Sequence, residues 1–134
     1  MSKLCNFLLS FHIDIRRKVF KQILDNLGGK LRLILYGGAP MVKPAIIGLS
    51  NFGISINQGY GLTEFSPVIS TNYPFANKVG SCGKVIPSAQ IKINEDNELF
   101  VKGPSLMKAY LNQEELTSKS IDKDGWFHTG DVAY

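Results

Sequence analysis

Apolar residues recur every four positions at Ile15, Val19, Ile23 and Leu27, with Phe20 and Leu24 beside them. That spacing lays one apolar stripe along a helix. Asp14 stands where an N-terminal cap belongs, and Gly28-Gly29 stand where the helix stops. Arg16, Arg17, Lys18 and Lys21 fall mostly on the opposite side, as a solvated face. The short, mostly apolar run Leu31–Tyr36, bounded by glycines, predicts a buried strand. Gly37-Gly38-Ala39-Pro40 then makes a turn. Val42–Asn51 reads as a helix with Pro44 in its first turn and Gly53 as its stop. Ile54–Gln58 is a second strand, followed by a turn over Gly59–Glu64. The 17 residues from Gly37 to Gly53 separate the two strands. Strand, helix and strand at that distance form a βαβ unit with parallel pairing and a right-handed crossover. Both glycine-rich turns then lie at the carboxyl ends of adjacent parallel strands, where open α/β sheets bind ligands.

After about Ser66 the pattern changes. Gly80, Gly83, Pro87 and Gly103-Pro104 punctuate short β-like runs. Ala89–Ile93 alternates in period two, Glu95-Asp96-Asn97 turns, and Glu98–Lys102 returns, which predicts a hairpin in a small antiparallel sheet or barrel. Asn112 with Glu115 resembles a capping box for a helix to about Lys119. Asp124-Gly125 turns the chain into Trp126–Asp131, with Trp126 and Phe127 as core. The expected fold is α/β: a βαβ portion of a parallel sheet over 1–65, then a small β-rich, barrel-like portion over 66–134. The chain stops at Tyr134 with no polar tail, which predicts a piece of a larger domain.

Composition fits a globular chain. Its 134 residues are 44% hydrophobic and 19% charged, with a mean hydropathy of 0.00. That balance excludes a disordered tail, collagen and a disulfide-dense mini-protein. The net charge is 15 − 11 = +4, but it is uneven. Residues 1–50 carry eight Lys and Arg against Asp14 and Asp25, while 51–134 carry seven against nine acids. Basic charge without interleaved aromatics argues against nucleic acid as a partner. Cys5 and Cys82 form no CxxC pair and read as two thiols in an intracellular chain. Leu4–Phe11 is too short to span a bilayer and lacks a cleavage site, so it reads as core.

The candidate chemistry gathers in two places. Gly59 and Gly61 let the backbone approach a ligand without Cβ interference. Tyr60 offers a flat face for a base, Thr63 a hydroxyl for a phosphate oxygen, and Glu64 a carboxylate for Mg²⁺. A plain glycine turn with Thr63 and Glu64 exposed is the alternative. Asp131, in a polar break after Thr129-Gly130, could accept two ribose hydroxyls or simply cap a turn. His128 reads as structural or pocket-lining, and His12 as a satisfied core residue. There is no GxxxxGK[ST] and no GxGxxG, so no loop of this chain grips a triphosphate by itself.

Four segments in order resemble the AMP-forming acyl-CoA synthetases of the adenylate-forming superfamily. They are Gly37-Gly38-Ala39-Pro40, Gln58-Gly59-Tyr60-Gly61-Leu62-Thr63-Glu64, Glu98–Tyr110 and Trp126–Asp131. Leu27–Arg32 and Gly61–Val68 look most like the long-chain fatty acid branch. Asn97 and Ala109 depart from the glycines usual there, which bears on local turn geometry. The resemblance implies that Gly38 and Ala39 line the adenine and acyl-carboxylate region, and that Gly59 backbone borders the acyl pocket. It implies that Tyr60 stacks on adenine, Thr63 reaches the α-phosphate or acyl carboxylate, Glu64 binds Mg²⁺ and Asp131 holds the ribose. The implied substrates are a fatty acid, ATP and coenzyme A, in a cytoplasmic parent enzyme. The family's phosphate-holding loop and its C-terminal domain with a catalytic Lys are not in this sequence, so the 134 residues alone are expected to be inactive. Membrane association of the parent, and a homodimer through exposed sheet edges, stay open. So do other adenylate-forming ligases (short-chain, aryl or amino acid) and a non-catalytic module that binds through the basic helix.

Overall fold

The computed structural model describes residues 11, 13–73 and 76–134. Cys5, His12 and the apolar stretch before Phe11 lie outside the described residues, and Phe11 itself is exposed. Two compact units emerge. One holds the described residues up to Gln58 together with Asn72–Ser81, and the other holds Gly59–Thr71 and Cys82–Tyr134.

The first unit contains α1 (Arg16–Val19), α2 (Lys21–Asn26), β1 (Leu33–Tyr36), α3 (Lys43–Ser50) and the start of β2 (Ser55–Gly61). The single helix expected over Ile15–Leu27 is broken at Phe20, which leaves helical dihedrals and sets its ring edge-on to Phe52 at 5.1 Å. Asp14 does act at the helix start, accepting the Arg16 N–H at 3.0 Å. Gly28 and Gly29 take positive φ, and the Gly29 N–H closes on the Leu24 carbonyl at 2.7 Å. Of the basic residues expected on a solvated face, Lys18 and Lys21 are exposed, but Arg16 and Arg17 are turned to the fold. Arg17 donates to the carbonyls of Leu31, Gly53 and Gly29, and Arg16 to that of Ser50. Two guanidiniums thereby satisfy four backbone carbonyls. Both are spent on the fold.

β1 and β2 pair in parallel from Leu33↔Ser55 to Tyr36↔Gln58, with α3 between them in sequence, as the βαβ reading predicts. Pro44 sits in the first turn of α3. Leu24, Ile46, Ile54 and Ile56 form the core, with Ile34, Tyr36 and Phe52 packed against it. β1 is not the buried strand expected. Its side chains alternate, and the outward pair Leu33 and Leu35 is 39% and 65% exposed. One face of a strand meets the core, and among the described residues no layer covers the other. Asn72–Ser81 folds back by side-chain bonds. Asn57 Nδ2 donates to the Asn72 carbonyl at 2.9 Å, and Asn77 Nδ2 to the Ile56 carbonyl at 2.7 Å.

In the second unit β2 continues through Gly59-Tyr60-Gly61 and pairs antiparallel with β3 (Val68–Thr71), which pairs with β4 (Lys84–Val85). The expected turn at Gly59–Gly61 is therefore extended strand, with a bulge between Tyr60 and Gly61. The chain reverses just afterwards, in a 3-10 turn over Thr63–Phe65 and at Ser66, with φ 56°. A Cβ on Gly61 would fall 1.8 Å from the Pro67 carbonyl oxygen, so only glycine fits.

A second sheet has the order β5 (Gln90–Ile93), β6 (Glu98–Lys102), β7 (Phe127–Val132). The β5–β6 hairpin is the one expected, with Asn97 at φ 64° in its turn. Among the described residues β5 pairs only with β6, and β7 gains beyond β6 only an isolated bridge from Phe127 to Ile121, so this is an open sheet and not the barrel-like closure expected. The capping box is also absent. Asn112 takes φ 55°, Gln113 occupies the cap of α4 (Glu114–Ser120), and Glu115 pairs with Lys119 instead. The core is Phe65, Ile69, Ala89, Val101 and Phe127.

Candidate functional site

Gly38 and Ala39 occupy the exposed loop after β1 in the first unit, with Gly38 at φ 77°. Gly59, Tyr60, Gly61, Thr63, Glu64 and Asp131 all belong to the second unit. Within it the structure brings two pairs together that lie far apart in sequence.

The first pair is Tyr60 and Asp131. β2 carries Tyr60 and β7 carries Asp131, and the Tyr60 hydroxyl donates to Asp131 Oδ2 at 2.5 Å across 71 residues of chain. Burial first, and then the bond to Asp131, push the Tyr60 phenol well above its ordinary value of 10.0. The sequence offered a turn for Asp131; the structure gives it the end of a strand. There its N–H donates to Thr129 Oγ1, which is itself anchored on the Leu99 carbonyl at 2.7 Å. Gly130 takes φ 70°, and its N–H donates to Glu98 Oε1. A planar ring next to an exposed carboxylate can offer a stacking face and a double acceptor to one ligand. His128 packs on Phe100 at 4.4 Å and approaches the Glu98 carboxylate at 4.0 Å, the position of a supporting residue.

The second pair is Glu64 and Tyr110. Phe65 is fully buried and pins the 3-10 turn, which leaves Thr63 exposed and Glu64 half-buried. The Glu64 backbone carbonyl accepts the Met107 N–H at 2.7 Å, and its Oε1 accepts the Tyr110 hydroxyl at 2.8 Å. That bond, with burial behind it, raises the Tyr110 phenol above its ordinary value. Tyr110 stood inside a segment singled out by its sequence pattern but had no role there. Its bond to Glu64 spans 46 residues, beyond the reach of any local spacing rule.

The donor set suits Mg²⁺ of one kind. Among the described residues no three His, Cys, Asp or Glu cluster as a metal cage. Mg²⁺ commonly takes one or two carboxylates, keeping the rest of its shell for waters and substrate phosphates. Glu64 fits that use, because its only bonded side-chain partner among the described residues is a neutral hydroxyl.

Comparison with known proteins shows the family. The profile of the AMP-binding enzyme family matches residues 3–111. The chain is 40% identical over 115 residues to fadD11 of Mycobacterium tuberculosis, named as a fatty-acid–CoA ligase, covering 85% of this chain and 20% of that protein. It is 42% identical over 122 residues to the 4-coumarate–CoA ligase of Pinus taeda, covering 78% and 23%. The o-succinylbenzoate CoA synthetase of Bacillus subtilis, solved in complex with AMP, superposes with a TM-score of 0.70 at 33% identity, covering 88% of this chain and 27% of that one. The chain thus spans about a fifth of the length of these two curated relatives. It belongs to the AMP-binding enzyme family, that of the AMP-forming acid–CoA ligases, and its sequence covers part of that family's enzyme domain.

Proposed function

We propose that the protein carrying this chain is an ATP-dependent long-chain fatty acid–CoA ligase. The observation that carries the reading is the Tyr60–Asp131 pair, whose Tyr60 lies on the strand that leads directly into Thr63 and Glu64. A nucleoside monophosphate needs a stacking face, a ribose acceptor and a polar phosphate partner, and these residues supply all three. Tyr60 stacks on adenine, and Asp131 accepts the ribose hydroxyls. Thr63 donates to the α-phosphate or the acyl carboxylate. Gly59 backbone borders the acyl pocket, and Gly38 and Ala39 border adenine and the acyl carboxylate. Glu64 would hold Mg²⁺, which supplies charge neutralisation at the phosphates. The B. subtilis synthetase has been solved with ATP and a magnesium ion.

In the first step a carboxylate oxygen bonds to the α-phosphorus as the bond to pyrophosphate breaks. In the second, the coenzyme A sulfur bonds to the acyl carbon and AMP leaves. The chain's residues act mainly by placement and by electrostatics set up in advance. ATP–pyrophosphate exchange on the full-length protein, across fatty acids of increasing length, tests the reading. Exchange that peaks with long acids supports it. A peak with an aryl acid would favour the second reading, an aryl acid ligase, which the identity to 4-coumarate–CoA ligases motivates. Glu64→Gln should lower adenylate formation at least about tenfold, or about 1.4 kcal/mol. Unchanged single-turnover rates would remove Glu64 from the chemistry.

A further inference from the structure

Glu64 sits in a turn only three residues long, and such a turn does not by itself hold a side chain with three rotatable bonds. Ordering a free Glu side chain costs rotamer entropy. Here the ordering comes from a distant segment. The Met107 N–H bonds the Glu64 carbonyl at 2.7 Å and the Tyr110 hydroxyl bonds Oε1 at 2.8 Å, so main chain and side chain are both clamped. The clamp is itself rooted. Met107 packs on the core that contains Phe65, the neighbour of Glu64. The Tyr110 N–H is held by Thr117 Oγ1 at 3.0 Å, in the middle of α4.

The chemistry of the partner matters as much as its position. A lysine or arginine on Oε1 would orient the carboxylate but neutralise it. A phenol orients it and leaves its full negative charge, with Oε2 receiving no hydrogen bond among the described residues.

We propose that Tyr110 is a positioning residue that holds Glu64 in the orientation that receives the cation of a metal–nucleotide complex. This rests on the reading of Glu64 given above. The test uses the full-length protein without acid substrate, with ATP binding measured by calorimetry in the presence and absence of Mg²⁺. Tyr110→Phe keeps the ring and removes the donor. It should weaken Mg²⁺·ATP binding about tenfold and leave metal-free ATP binding unchanged. The double variant Glu64→Gln/Tyr110→Phe should bind Mg²⁺·ATP no more weakly than Glu64→Gln alone, because the phenol acts only through the carboxylate. Four outcomes overturn the proposal. Equal weakening with and without metal would make Tyr110 a general support of the fold. Additive losses in the double variant would give it a role separate from Glu64. Glu64→Gln weakening Mg²⁺·ATP while Tyr110→Phe does not would leave the Glu64 reading standing and remove Tyr110 alone. If Glu64→Gln itself leaves Mg²⁺·ATP binding unchanged, the reading of Glu64 falls and takes this inference with it.

Discussion

The two strands β1 and β6 are both short apolar runs, yet they end in opposite conditions. β6 lies in the middle of a three-stranded sheet, and Leu99, Phe100 and Val101 are all buried. β1 alternates, with Ile34 and Tyr36 against the core and Leu33 and Leu35 open. An apolar run tells which residues favour cover, and pairing and layering decide which of them receive it. The same contrast holds for polar groups. In the first unit two arginines and three asparagines are spent on backbone carbonyls. In the second, Tyr60 and Tyr110 are spent on the two carboxylates to which a ligand role is given.

Glycine substitutions should give the largest difference between the units. Gly61→Ala drives a methyl group into the Pro67 carbonyl, so β2 and β3 cannot keep their pairing. The cost should exceed about 4 kcal/mol and show as loss of soluble, cooperatively unfolding protein. Gly48→Ala, in α3 with open space at its Cβ, should instead stabilise by about 0.5–1 kcal/mol in urea unfolding. Equal behaviour of the two variants would break the comparison.

Next come the strands themselves. Val101→Ala removes two methyls from a site with no exposed surface and should destabilise by about 2–3 kcal/mol. Leu35→Ala, on the open face, should cost about 0.5 kcal/mol. A cost for Leu35→Ala as large as that for Val101→Ala would mean that the β1 face is covered in the protein tested.

The smallest effect concerns alkali. Tyr60 is kept protonated by burial and then by Asp131, and Tyr110 by its bond to Glu64, so both fold with pKa values above the ordinary 10.0. Their contribution to stability is whole below that value and is lost as pH rises through the raised pKa values. Unfolding free energy should therefore fall above about pH 10, and Tyr60→Phe should flatten the decline. An unchanged slope in that variant would assign the alkaline loss elsewhere.

Much of this was legible because it is local. The βαβ unit shows in helical spacing, a Pro in the first turn and glycine stops, each written within a few residues. The β5–β6 hairpin shows in period-two alternation around Asn97. The candidate residues Tyr60, Thr63, Glu64 and Asp131 were legible as a set of chemical types, and four of the fold's details were not. Gly59–Gly61 looks like a turn because glycines usually mark one, but pairing with β3 extends it. Arg16 and Arg17 look solvated because helical spacing is silent about which carbonyls lie across from a face. The capping box at Asn112 failed because that residue takes a positive φ, which ends one segment instead of opening the next. The Tyr110–Glu64 bond needs the fold to be known first.

The chain passes from the first unit to the second after Gln58, returns at Asn72 and leaves again at Cys82. On a ribosome, where domains form roughly in order of emergence, the first unit cannot finish when its second strand is made. The Asn57 amide and the Ile56 carbonyl wait for Asn72 and Asn77, and meanwhile the intervening residues, those of Tyr60 and Glu64, are already being translated. Completion of the first unit thus waits on the intervening segment of the second, and a translational pause between Gln58 and Asn72 would hold the first unit open.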